Sequence, residues 1–384
     1  MGFKWRAGYH FTRKAIGAFL FLVSTSCYGI DFEDFAPFQG KLSKEYVREK
    51  IAKFLQYSPE IQHYFSIEEE ALALFASPEA KKEGVSEYRL AFGVEVPGSC
   101  IGFHKPLQEM KIAIDPGHFG GEWAQLEERY IDLEYQGKRC VFDEGTLTLL
   151  TALLLKEKLE KVGITVLLTR TEKGKGVYPE NFFDWLKKHP ELWKKGVSLS
   201  SLFRGHYNRL DLRQRAEMIN AFKPDLTFVV HYNAVDDEKP KNFNLVFIPG
   251  AFCDKELEAA EDRYHFLRLI CTQDLEQSSQ LAEHLIGEFS KHLEVFPFNA
   301  SLANSLKSGK GIYCRNLCLT RLIHGPVCYG ETLVQNHQEE LLKLSQADGV
   351  VEGMPCPQRV FEVAQAYYEA LMTYLGGEPC NPSR

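Results

Sequence analysis

Leu226-Thr-Phe-Val-Val-His231 decides the fold: a short apolar, partly β-branched run that reads as a buried strand ending on an imidazole. Working outward, Lys111-Ile-Ala-Ile-Asp115 is a second short strand, running into the turn Pro116-Gly117. Between the two lies a helix over 146–162, with Leu147, Leu150 and Leu154 on its apolar face and Gly163 as its stop. Ile164-Thr-Val-Leu-Leu-Thr169 reads as a strand, 172–208 as a loop-rich insertion, and 212–222 as a helix. Beyond His231 come a strand at 244–249, helices at 277–292 and 359–375, and the strand Val327-Cys-Tyr-Gly-Glu331 between those helices. Strands alternating with helices predict an α/β fold, a three-layer sandwich around a mostly parallel twisted sheet. Ligands gather at the carboxyl ends of such strands. His118, His231 and Glu331 all stand there.

The amino-terminal third has a different texture. Lys4, Arg6, Arg13 and Lys14 precede the apolar run 15–23, and small residues follow as far as Gly29. That pattern predicts a secretory signal peptide over 1–29, and so export to the periplasm or cell envelope. Nine apolar residues fall short of the roughly 20 that a membrane span needs. Cys27 leaves lipid anchoring open, but Val23-Ser-Thr-Ser26 is a poor lipid-attachment pattern, and simple cleavage after Gly29 is preferred. Residues 30–105 are expected to form a small helical N-terminal region, with Val47, Ile51 and Leu55 at helical spacing and a second short helix at 68–75. The main α/β domain is then expected over 106–378. Removing Cys27 leaves nine of the ten cysteines, so at least one thiol stays unpaired within the chain. A formal net charge of −7, without a basic stripe, excludes nucleic acid as a partner.

Zinc catalysis asks for three protein ligands and one open position, and two His with one Glu is an established set. His118, Glu144 and His231 qualify by placement, each bordering a predicted strand or helix on what can be one rim. Their wide spacing, by itself, is a weak signal. The local sequences are more specific. Asp115-Pro-Gly-His118-Phe-Gly-Gly121, Asp143-Glu144-Gly-Thr-Leu-Thr-Leu149 and Val166-Leu-Leu-Thr-Arg170 occur in that order. Leu212-Arg-Gln-Arg215, Pro224-Asp-Leu-Thr-Phe-Val-Val-His231-Tyr-Asn233-Ala234 and Pro326-Val-Cys-Tyr-Gly-Glu331 follow. Together they resemble the zinc-dependent N-acetylmuramoyl-L-alanine amidases of the Amidase_3 family.

The resemblance implies that His118, Glu144 and His231 hold one Zn2+ per chain, that Glu331 is the general base, and that peptidoglycan is the substrate. Glu144 is preferred over Asp143 because Leu147 and Leu149 then fall at the family's offsets. The bond implied is the amide joining N-acetylmuramic acid to L-alanine. Asp115 reads equally well as a partner orienting His118 or as a turn cap. Phe119, Val230 and Cys328 depart from the family pattern, and 172–208 and 251–275 are long insertions. By the same resemblance, a carboxylate of 251–275 can cover the metal until an activator protein displaces it; a solvated helix face is the alternative. Two other functions stay open: a zinc carboxypeptidase acting on stem peptides, and a catalytically inactive cell-wall-binding regulator.

Overall fold

The computed structural model describes residues 30–98 and 105–376; the expected signal peptide with Cys27, and Cys100, His104 and Cys380, lie outside the described residues. In residues 30–98, a helix α1 (Lys44–Lys50) is capped by Ser43, whose hydroxyl accepts from Tyr46 N. A π turn at Ile51–Leu55 continues it. Val47, Ile51 and Leu55 are all buried, as their spacing predicts. The second expected helix is absent. Phe65–Ile67 (β1), Ala71–Leu74 (β2) and Tyr88–Ala91 (β3) instead form an antiparallel sheet in the order β1-β2-β3, with a short helix α2 (Pro78–Glu83) before β3. The N-terminal region is therefore mixed rather than helical. The physical reason is burial: all four residues of β2 are covered, and so short an apolar run carries no period that separates strand from helix.

The main sheet has seven strands: Lys111–Pro116 (β4), Thr165–Leu168 (β7), Leu226–Asn233 (β8), Leu245–Ile248 (β9), Leu306–Gly309 (β10), Ile312–Cys314 (β11) and Val327–Val334 (β12). Tyr130–Tyr135 (β5) and Lys138–Asp143 (β6) form a separate hairpin. The order is β10-β11-β9-β12-β8-β4-β7. β12, β8, β4 and β7 run parallel, β9 lies antiparallel to β12, and β10 antiparallel to β11. The expected mostly parallel α/β sandwich is thus observed.

Helices cover both faces, and the short helices Phe182–Lys187 (α4), Leu199–Leu202 (α5), Cys318–Leu322 (α9) and Gln338–Leu344 (α10) lie in the connections. On one face pack Glu144–Lys161 (α3), Asp274–Leu293 (α8) and Gln358–Gly376 (α11); their apolar residues, with those of Ala260–Cys271 (α7), share one core with β2 and the π turn. On the other lies Asn208–Phe222 (α6), where Ala216 and Ile219 meet Ala113 of β4 and Val229 of β8. Among the described residues, no helix is long and apolar enough to cross a membrane. The seven described cysteines are all free.

The 251–275 insertion leaves β9 at the end of the sheet opposite His231, because β9 runs against β8 and β12. Its helical part is α7, and three of its acids are already engaged. Glu261 pairs with Arg213 at 2.5 Å, Asp262 with Arg321 at 2.7 Å, and Glu256 accepts from Asn316. Neither the metal-covering arrangement nor a freely solvated face is what forms: this segment is a docked helix at the far end.

Candidate metal centre

Three strand ends and one helix start converge. Glu331 of β12 is in register with His231 of β8, so their side chains leave the same face of adjacent parallel strands. β4 pairs with β8 on the other side and delivers Pro116-Gly117-His118 over the top of that strand. Gly117 N donates to Val230 O at 2.9 Å. A Cβ at Gly117 would stand 2.2 Å from the His231 ring, so only glycine permits this approach. His118 then takes a left-handed backbone, φ 60°, an uncommon conformation for a side-chain-bearing residue.

The fourth element is α3. Asp143 is its N-cap, accepting from Thr146 N at 2.7 Å, and Glu144 is the first helical residue, aimed at the two imidazoles. Capping and ligation are thus divided between neighbours. Glu144 Oε1 lies 3.0 Å from His231 Nδ1 and 3.3 Å from His118 Nε2. One ligand atom from each of His118, Glu144 and His231 falls within 4.8 Å of the others. Two imidazole nitrogens and one carboxylate oxygen, buried at the rim of a parallel sheet, suit a divalent cation of the zinc type.

The surroundings hold these groups in place. His118 Nδ1 faces Glu127 Oε1 at 3.2 Å, which leaves Nε2 for the cluster, and the other Glu127 oxygen accepts from Phe119 N and Gly120 N. His231 stacks on Tyr329 with ring centroids 4.2 Å apart. Glu144 also accepts from Tyr232 N at 3.2 Å and Gln335 Nε2 at 3.2 Å, and Arg129 Nε lies 3.3 Å from its second oxygen.

The electrostatics ask for a cation. Burial disfavours a charged His118, yet the Glu144 and Glu127 carboxylates outweigh it and push its pKa up to about 9. Burial works against Glu144 too, but the histidines hold it well below the usual carboxylate range. Burial lowers His231 to about 4, and the His118 charge adds to that while Glu144 opposes it. Glu331 is driven up to about 8, first by burial and then by Glu144, so it can hold or release a proton near neutrality.

Residues 112–352 match the Amidase_3 family, N-acetylmuramoyl-L-alanine amidase. The chain belongs to this family. No curated protein matches the chain. Among solved structures it is similar to the CwlD amidase of Clostridioides difficile in complex with the GerS lipoprotein, at 17% identity, covering 70% of this chain and 100% of that one, TM-score 0.44. The Ami1 amidase of Mycobacterium abscessus matches at 15% identity, 70% and 99% coverage and TM-score 0.43. The catalytic domain of CwlV from Bacillus (Paenibacillus) polymyxa var. colistinus matches at 15% identity, 70% and 99% coverage and TM-score 0.41.

In this Amidase_3 chain the site brings together all four residues singled out in the sequence, and it adds Glu127, Arg129 and Gln335, which sequence reasoning misses. Asp115 neither orients His118 nor caps the turn: it takes a hydrogen bond from Thr169 Oγ1 and pairs with Arg215 at 3.3 Å. Glu127 has the orienting part, reached by a one-turn helix (Gly121–Trp123) after the His118 loop. The signal for the β5–β6 hairpin that follows is Gln136-Gly137, both at positive φ, which is the two-residue turn that joins twisted strands. Phe119 has its own account in the insertion 172–208, whose rings bury it.

Proposed function

We propose that the protein is an exported, zinc-dependent N-acetylmuramoyl-L-alanine amidase that hydrolyses the amide between N-acetylmuramic acid and L-alanine in peptidoglycan. His118, Glu144 and His231 would hold one zinc ion, and Glu331 is the general acid–base. The domain division that goes with this reading is a signal peptide at 1–29, an accessory region at 30–105 and the catalytic domain at 106–378. The observation that carries it is the 4.8 Å grouping of two imidazoles and one carboxylate, with Glu331 in register one strand over.

A zinc ion bound by such a set supplies Lewis acidity and lowers the pKa of water to about 7. The chain's own groups do the rest. Glu127 holds the His118 ring at Nδ1, so Nε2 is the nitrogen that faces the cluster. Gln335 and Tyr232 N hold the Glu144 carboxylate in one orientation. Glu331, with its raised pKa, takes the proton of the attacking water and hands it to the departing amine of L-alanine.

The test is digestion of purified peptidoglycan with and without a chelator, with the products identified by mass spectrometry. The expected products are glycan strands with free lactyl carboxylates and stem peptides with a free L-alanine amine, both lost on chelation. Release of D-alanine instead would make the protein a carboxypeptidase. Metal binding with no cleavage would make it a binding module.

A further inference from the structure

Behind the metal cluster the fold buries two guanidinium groups, Arg170 and Arg215, at 3% and 1% exposure. Both are aimed at the loop that carries His118. Arg170 Nε donates to Pro116 O at 3.1 Å and Arg215 to the same oxygen at 2.8 Å. Gly117 O accepts from Arg170 at 2.9 Å and from Thr148 Oγ1 at 2.6 Å. His118 O accepts from Arg215 at 3.4 Å. Three consecutive carbonyls are therefore held from one side. Arg170 and Thr148 also donate to Gly145 O, the residue after Glu144. Arg215 is itself fixed by Asp211, at 2.6 Å, and by Asp115.

Burying two like charges side by side is costly. Burial, reinforced by the Arg215 charge, lowers Arg170 to about 9. Buried ionic groups are weak stabilisers, and their best-attested use is to select one arrangement. Here the arrangement at stake is His118 in a left-handed backbone, a conformation that persists only where the surroundings over-determine it.

We propose that Arg170 and Arg215 are positioning residues for the metal cluster, cross-bracing the His118 loop to the first turn of α3 so that His118 and Glu144 stay at ligand spacing. The inference rests on the metal reading above. It assigns the two arginines to metal affinity rather than to contact with substrate, and it makes Thr148 the hydroxyl link between the two braced segments.

The test uses the full-length protein in three variants, Arg170→Lys, Arg215→Lys and Thr148→Val. Zinc affinity is measured by competition with a chromogenic chelator, and thermal unfolding is measured on the chelator-treated protein. A remote core variant, Leu285→Ala on α8, serves as the stability control. Loss of a group that orients a ligand weakens metal affinity by about 10–100-fold, and that is the expectation for the two lysine variants. Thr148→Val should weaken it less, and Leu285→Ala should leave it unchanged despite a lower melting temperature. Parental zinc affinity in Arg170→Lys and Arg215→Lys would overturn the inference, as would an equal loss of affinity in Leu285→Ala. If the lysine variants do not fold, Thr148→Val decides in the same way. Failure of the parent protein to bind zinc would sink the metal reading itself, which is a distinguishable result.

Discussion

Two long segments interrupt the plain strand–helix alternation, and they do opposite things. The first, 172–208, leaves β7 at the end of the sheet where His118 and His231 stand, because β7 runs parallel to β4. It folds its rings onto the residue next to His118. Phe119 meets Phe203 at 5.2 Å, Trp123 stacks on Phe203 at 5.5 Å, and Phe182, Trp185 and Tyr207 close the cluster. Its Val177 and Tyr178 amides also donate to Asp211, the anchor of Arg215. The second, 251–275, leaves the opposite end and seats the N-terminal region. Phe266 packs on Phe65 of β1, Tyr264 on Phe35, and Arg263 pairs with Glu87 at 2.6 Å. Where an insertion leaves the sheet decides what it serves: one is a wall of the metal site, the other a saddle for residues 30–98.

The largest effect that sharpens this contrast belongs to the catalytic end itself. Glu331→Gln keeps the shape and removes the proton carrier, so kcat should fall by about 10²–10⁴-fold. Zinc stoichiometry should stay unchanged, because Glu331 is not among the three grouped ligands. Steady-state kinetics on muropeptides together with metal analysis checks both halves. Retained activity would remove Glu331 from the chemistry.

The next effect compares like with like. Phe203→Ala at the catalytic end and Phe266→Ala at the far end each delete a fully buried ring, and each should destabilise by about 3–5 kcal/mol. Only Phe203→Ala should also reduce kcat/KM and zinc affinity, since its ring supports Phe119 and through it the His118 loop. Denaturant unfolding and kinetics on the same samples separate the two. If both variants lose catalysis equally, the division of labour between the insertions is wrong.

The same contrast explains what is legible in the sequence. The four site residues can be found because each follows an apolar strand run or opens an apolar helix: Ile112 to Ile114 before His118, Leu226 to Val230 before His231, Val327 to Gly330 before Glu331, Leu147 to Leu155 after Glu144. Local pattern and position coincide there. Glu127, Arg129 and Gln335 sit where no period exists, in a turn, at a hairpin edge and past a strand end, and only the folded chain brings them to Glu144 and His118. β2 is misread for a related reason, since Ala71-Leu-Ala-Leu74 is buried on both sides and loses its alternation. The acids of 251–275 mislead because charge along a helix says nothing about partners; Arg213 and Arg321, distant in sequence, claim Glu261 and Asp262.

A smaller effect tests the saddle. Arg263 is buried, pairs with Glu87 and donates to Leu257 O and Glu258 O, so it ties the N-terminal sheet to α7. Arg263→Ala leaves those carbonyls and Glu87 short of a donor, a loss of about 1–3 kcal/mol. Hydrogen exchange should rise in residues 30–98 and along α7, while kcat and zinc affinity stay at parental values. Slowed catalysis would show that the far end communicates with the site.

The smallest effect reads the far end by pH. His265 on α7 is buried, and burial together with the neighbouring Arg268 pushes its pKa down to about 2. In the unfolded chain an imidazole titrates near 6.5. Above pH 6.5 the ring is neutral in both states and contributes no pH dependence. Below it, the unfolded chain gains a proton that the folded chain refuses, so stability falls as the pH drops, by up to about 1.4 kcal/mol per pH unit. His118 has the opposite sign in metal-free protein, since its pKa is raised to about 9: its contribution is present below about 6.5 and fades as the pH rises toward 9. The two are separated by comparing the parent with His265→Gln between pH 6.5 and 5.5, where the difference in unfolding free energy should change by about 1 kcal/mol. The amidase activity of the two proteins should keep the same pH profile across that interval, because the cluster and His265 lie at opposite ends of the sheet. A parallel shift of the activity profile would mean that protonation on α7 reaches the metal cluster, and the far end would then regulate the site as well as hold the N-terminal region.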